Sequence, residues 1–121
     1  MDTPKIFDSE LKLCEILWQH QPVKSSELVR LCADQLGWKK STTYTVIKRL
    51  CDKGCLKNEA AVVTSLVDRA TVQQADGQEV LQRSFHGSLP SFLAAFLRAG
   101  SVSDQEAAEI EQMLEEYRQS H

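Results

Sequence analysis

Between Ser41 and Gly54 the chain reads Ser-Thr-Thr-Tyr-Thr-Val-Ile-Lys-Arg-Leu-Cys-Asp-Lys-Gly, and no other stretch constrains the fold as much. Wound at about 100° per residue, Thr43, Ile47, Leu50, Cys51 and Gly54 gather on one side of a helix. With Thr42 set at 0°, Arg49 lies near roughly 340°, Lys53 near 20°, Thr45 near 300° and Lys48 near 240°, away from Ile47 and Leu50. One face packs and the other, basic and rich in threonine, reaches outward. Tyr44 is lateral. Ser41 is placed to cap the helix, and Gly54 to stop it.

Two similar stretches precede it. Asp8 or Ser9 can cap a helix from about Asp8 to His20, with Leu11, Cys14, Leu17 and Trp18 as its apolar stripe and Pro22 as its stop. Ser25 or Ser26 can cap a second helix whose Leu28, Leu31, Cys32 and Leu36 line one side until Gly37. Trp38-Lys39-Lys40 connects the second helix to the third. After Gly54 the texture becomes β-like, with Leu56, Val62, Val63, Leu66 and Val67 split by a polar Lys57-Asn58-Glu59 turn. Three helices followed by a hairpin, with bases on the third helix, is the plan of a winged helix-turn-helix. The expected fold is therefore mainly α, with a winged helix-turn-helix over 1-68 and a three-helix domain over 69-121.

The chain of 121 residues has a net charge of -3, which taken as an average counts against nucleic acid. The average hides a division. From Met1 to Asn58 ten bases face seven acids, a surplus of three; from Glu59 onward four arginines face ten acids, a deficit of six. Six of the ten front bases lie between Lys39 and Lys57, the local density that a phosphate-facing surface needs. The nucleic-acid-binding set expected on this basis is Lys39, Lys40, Ser41, Thr42, Tyr44, Thr45, Lys48, Arg49 and Lys53. Arg49 can donate twice to guanine O6 and N7, and threonine hydroxyls and methyls can meet base edges or thymine methyls. Lys39, Lys40 and the amides after Ser41 suit phosphate. Winged helices also serve as protein-interaction modules, so periodicity alone leaves that alternative open.

In the rear half, Asp68 caps a helix to His86 with Gly77 inside it, Ser88-Leu89-Pro90 opens a very apolar one, and Ser103-Asp104-Gln105-Glu106 is a capping box for the last. These helices carry Leu81, Phe85, Leu89, Phe92, Leu93, Phe96, Leu97, Ile110, Met113, Leu114 and Tyr117, more apolar surface than three short helices can bury on themselves. A recognition helix spans only a few base pairs, so a homodimer reading two half-sites is expected, with these residues as its interface. No run approaches the ~20 apolar residues of a membrane span, and Met-Asp-Thr-Pro-Lys lacks the start of a secretion signal. The expectation is a cytoplasmic protein with no membrane partner.

From Asp8-Ser9-Glu10 through Ile16-Leu17-Trp18, then Gly37-Trp38-Lys39, and above all from Ser41 to Gly54, the chain resembles the penicillinase repressor family of bacterial regulators. These include the β-lactamase and methicillin-resistance repressors and their copper-transport relatives. The likeness continues through Val63-Thr64-Ser65-Leu66-Val67, Phe85-His86-Gly87-Ser88-Leu89 and the Ser103 to Tyr117 helix, so it covers nearly the whole chain. The resemblance implies a homodimeric transcriptional repressor on a palindromic operator, dimerising through its C-terminal helices. It also implies relief by a signal-dependent event such as cleavage near the domain junction, with a regulatory protease as a further partner. Thr42, Thr45, Arg49 and Lys53 match DNA-facing positions, and Trp18, Leu50 and Gly54 structural ones. The residues around Glu79 and Val80 depart from the family pattern, so no cleavage position is assigned. The wing sequence Lys57-Asn58-Glu59-Ala60-Ala61 lacks the usual Gly, Arg and Tyr.

Cys51 and Cys55, at i and i+4, raise a metal-responsive alternative. Against it, Cys14, Cys32 and Cys51 occupy apolar positions, where a thiol acts as a small hydrophobe, and the copper-responsive relatives' paired cysteines near the C-terminus are absent. His20, His86 and His121 stand apart. With no phosphate loop, nucleophile elbow or H-E-x-x-H, neither enzymatic activity nor a cofactor or metal is expected.

Overall fold

The computed structural model describes residues 4–121. The first domain's start at residue 1 and the opening of the Met1 to Lys5 stretch fall outside the described residues. Among those residues the order is α1 (Asp8–His20), β1 (Val23–Lys24), α2 (Ser25–Leu36), α3 (Lys40–Asp52), β2 (Leu56–Glu59), β3 (Val62–Ser65), α4 (Arg69–Phe85), α5 (Leu89–Arg98) and α6 (Asp104–Ser120). The fold is mainly helical and has the winged helix expected of it. Two compact units are present, Met1–Gly77 and Gln78–His121, divided within α4, whereas residues 68 and 69 mark that helix's start.

In the first unit α1, α2 and α3 bury Leu13, Cys14, Ile16, Leu17, Leu28, Leu31, Cys32, Val46, Ile47 and Leu50 against one another, joined by Ile6, Val23, Cys55, Leu56, Val63 and Val72. Each fully buried aliphatic side chain contributes about 1.5–3 kcal/mol, so this core suffices to define a small domain. In α3 the buried set is Thr43, Val46, Ile47 and Leu50. Cys51 is half-buried and Gly54 exposed, so Val46 belongs to the packed face that the sequence stripe drew without it.

The strands form one antiparallel sheet in the order β1-β3-β2. Pairing of Val23 with Val63 and of Lys24 with Val62 adds the short β1, which the sequence reading lacked, to the expected hairpin. Lys57, Asn58 and Glu59 lie in β2, opposite Thr64, Val63 and Val62. The turn is instead Ala60-Ala61, both with positive φ, 50° and 62°. Two such residues in succession match the twist of a tight hairpin, and the extended register leaves the polar residues in the ladder.

The expected caps of the first three helices move by one or two residues. Their cap positions are Phe7, Lys24 and Lys39, and none provides a side-chain acceptor. Ser25 is already helical because its amide donates to Ala61 O at 2.8 Å, so the sheet satisfies that orphan donor. Ser41 lies inside α3, whose cap residue Lys39 accepts the Thr43 amide at 3.1 Å. Gly37 closes α2 at φ 69°, a left-handed position that glycine adopts without strain.

In the second unit the side chains do the capping. Ser88 accepts the Ser91 amide at 3.1 Å, and Ser103 and Glu106 form the expected capping box, each bond 3.0 Å. In the first unit Asp68 also accepts the Thr71 amide, at 2.8 Å, to open α4, which runs through Gly77 without a break. Phe92 meets Phe85 edge-on at 5.3 Å and Phe96 at 4.9 Å. Neither α5 nor α6 has a buried residue.

Candidate nucleic-acid interface

Packing of Thr43, Val46, Ile47 and Leu50 fixes the rotation of α3, and the opposite side of the helix is presented to solvent. Ser41, Thr42, Tyr44, Thr45, Lys48 and Arg49 are all exposed, with Lys39 and Lys40 exposed at the helix start. Eight of the nine expected residues are thus exposed. Lys40 stands 6.0 Å over the Tyr44 ring, which places the ring on the flank beside the helix N-terminus. Lys48 pairs with Asp52 at 3.3 Å, an exposed i, i+4 contact that water screens and that leaves the lysine available. The Arg49 guanidinium makes no hydrogen bond or ion pair among the described residues. A fork of free donors next to two threonines can form a bidentate contact with a base edge.

Lys53 is placed differently. Its ammonium donates to Glu10 Oε1 at 2.6 Å and to Lys5 O at 2.9 Å, and lies 4.6 Å over the Phe7 ring. The Lys53 side chain is 26% exposed and that of Glu10 only 1%. Lys53 is therefore held inside the first unit, clamping the end of α3 to the start of α1, and the expectation that it lies on the free face is corrected.

Burial pushes the Glu10 carboxyl up. The Lys53 hydrogen bond, the Phe7 amide at 2.9 Å and the charges of Lys53 and Arg49 together outweigh burial and hold it below its ordinary value. The second oxygen, Oε2, is buried without a hydrogen-bond partner. Sequence reasoning missed this carboxylate, although a signal existed: Glu10, Leu13, Cys14 and Leu17 follow the i, i+3, i+4, i+7 spacing of a packed stripe.

The wing contributes little charge. Lys57 pairs with Glu59 at 3.3 Å on the face that also carries Val62 and Thr64, and the tip is two alanines. Trp18 ties α1 to the exit of the hairpin: its indole N–H donates to Ser65 Oγ and Val67 O, each at 3.0 Å. Arg69 lies over the Trp18 ring at 5.5 Å and pairs with Glu15.

The cysteines give the metal-responsive alternative no support. Cys14, Cys32 and Cys55 are buried and Cys51 is half-buried. Burial raises all four thiols, Cys14 to about 12, which disfavours the thiolate that a metal requires. Among the described residues no group of three or more His, Cys, Asp or Glu side chains could hold a metal ion.

The apolar residues of the second unit are open to solvent to very different degrees. Leu81, Phe85, Phe92, Leu93 and Ile110 are half-buried, whereas Leu89, Phe96, Leu97, Met113, Leu114 and Tyr117 are exposed, Met113 to 66%. No helix among the described residues is long and apolar enough to cross a membrane.

The family model described as penicillinase repressor matches residues 6–116. The penicillinase repressor of Bacillus licheniformis is 28% identical over 95% of this chain and 93% of its own length. The methicillin resistance regulatory protein MecI of Mammaliicoccus sciuri is 22% identical over 93% and 94%. Among solved structures, the monomeric form of Bacillus licheniformis BlaI in complex with the blaP half-operator is similar at a TM-score of 0.51 and 27% identity, covering 58% of this chain and 90% of that one. The DNA-binding domain of the repressor BlaI alone gives 0.50 and 28%, covering 59% and 93%.

Proposed function

The chain belongs to the penicillinase repressor family, and from that premise we propose that it is a transcriptional repressor, not an enzyme, that binds operator DNA by laying α3 in the major groove. The observation that carries this reading is the uncommitted face of Thr42, Thr45 and Arg49 on a helix whose other side is locked into the core. Arg49 supplies base discrimination, while Lys39, Lys40 and the first-turn amides of α3 take phosphates. Tyr44 and Lys48 flank the backbone, and Lys53 acts from within by fixing the helix end.

The repressor works as a homodimer on two half-sites, held together by the exposed apolar residues of α5 and α6. Burying several such side chains, each at about 1.5–3 kcal/mol, across a two-fold axis would sustain the assembly. Relief follows a signal-dependent event such as proteolysis. Beyond Val72, α4 holds only exposed and half-buried residues, the accessibility that a protease needs.

Gel-shift competition tests the reading. Arg49→Ala is expected to lose about 1–3 kcal/mol of discrimination between the preferred duplex and its single-base variants. Lys40→Ala is expected to weaken all duplexes alike and to lower the salt slope by about 1. Unchanged sequence preference in Arg49→Ala would overturn the base contact. Weak binding that is flat across sequences would favour the protein-interaction module instead.

A further inference from the structure

Three threonines within four residues of α3 have three different surroundings. Thr43 is fully buried and its hydroxyl donates to Lys39 O at 3.3 Å, so it is a packing residue. Thr42 lies in the first turn, where the carbonyl four residues earlier belongs to Trp38, ahead of the helix; its hydroxyl has no partner among the described residues. Thr45 is exposed, but its hydroxyl donates to Ser41 O at 2.9 Å, inside its own helix.

A threonine hydroxyl carries one donor hydrogen. In Thr45 that hydrogen is used by the Ser41 carbonyl, the usual arrangement for threonine on a helix. The side chain therefore has no donor left for guanine O6 or N7, adenine N7 or thymine O4, and what remains for a base is its methyl group and the acceptor side of its oxygen. In the major groove thymine alone presents a methyl group. Thr45 also sits three residues after Thr42 and four before Arg49, in the row that faces DNA on the reading above.

We propose that Thr45 is a specificity-determining residue that selects thymine through contact between its methyl and the C5-methyl of the base, and this rests on α3 occupying the major groove. Arg49 and Thr45 would then read adjoining base pairs by different chemistry, one by charge-assisted hydrogen bonds and one by apolar contact.

The test uses the full chain and duplexes it enriches from a random pool, each remade with one thymine replaced by deoxyuridine, which removes only the methyl. The wild-type chain is expected to show a position where this costs about four-fold in affinity, the worth of one buried methyl. Thr45→Val, which keeps the methyl groups and loses the hydroxyl, is expected to show the same penalty at the same position. Thr45→Ser, which keeps the hydroxyl and loses the methyl, is expected to bind the thymine and uracil duplexes equally there. A penalty that persists in Thr45→Ser, or one that vanishes in Thr45→Val, overturns the proposal. Enrichment without any uracil-sensitive position overturns it too while leaving the DNA reading intact. Failure to enrich any sequence overturns both.

Discussion

Two regions of this chain start their helices by opposite means. In the first, α1, α2 and α3 begin without a side-chain acceptor at the cap and are held by a closed core, a three-stranded sheet and a partly buried ion pair. In the second, α5 and α6 begin with serine caps, yet bury no residue completely. A packed core can fix helix ends wherever the sheet and loops need them, because tertiary contacts satisfy the orphan amides. Helices without a core depend on local capping and on surface that remains to be covered. The first unit thus has a closed core, whereas the second leaves large apolar side chains of α5 and α6 exposed.

The largest expected effect lies in the first unit. Lys53→Met would leave the Glu10 carboxylate buried without its partner, and a loss of about 3–5 kcal/mol is expected in denaturant unfolding. The pH dependence adds a sign. In the wild-type chain the Glu10 carboxyl is held below its ordinary value of 4.5, so the stability it contributes is present above that value and is lost as the pH falls through the lower folded value. In Lys53→Met burial is opposed only by the Phe7 amide and the Arg49 charge, so the folded value rises above that of the wild type and the stability lost on acidification should shrink. A variant that unfolds as the wild type does, with the same acid limb, would make the pair irrelevant to the fold.

A smaller effect of a different kind is expected in the open unit. Leu97 is 55% exposed, so Leu97→Asp costs a single chain little but places a charge in the proposed interface. Sedimentation velocity should give dimer dissociation at least about thirty-fold more favourable, the scale of an interface hot spot. Denaturant unfolding of the first unit should be unchanged. An unaltered association constant would mean that these helices are covered by something other than a second copy.

The smallest effect sharpens the contrast in capping. Ser103→Ala removes the acceptor for the Glu106 amide and should cost about 1 kcal/mol of local stability, read as faster amide exchange in the first turn of α6. Ser41→Ala is expected to cost much less at the start of α3, because its side chain caps nothing. Equal costs at the two sites would break the distinction between core-held and cap-held helices.

Much of this was legible in the residues. The helix spans and the outward face of α3 follow from apolar spacing, because a helix turns by a fixed angle and a side chain's direction is a local property. The capping box at Ser103 and the Asp68 cap were equally legible, since each bond closes within a few residues. The exposed set Thr42, Thr45 and Arg49 was read correctly as a surface for the same reason. The β1 strand, the Ala60-Ala61 turn and the shifted starts of α2 and α3 were not, because each depends on which distant backbone groups meet.

Lys53 and Thr45 mark the boundary most clearly. Sequence periodicity put both on the outward face, and for a helix in isolation that is where both belong. Only the tertiary structure brings Glu10 of α1 to the end of α3, 43 residues away in the chain, and turns Lys53 inward. The hydrogen-bond geometry within α3 in turn commits the donor hydrogen of Thr45 to the Ser41 carbonyl. The sequence by itself determined the helices, their faces and the division of charge, which depend on neighbours three or four residues apart. The fold decided which of those exposed-looking groups are free, because a lysine or a hydroxyl goes to the strongest partner that packing brings within reach.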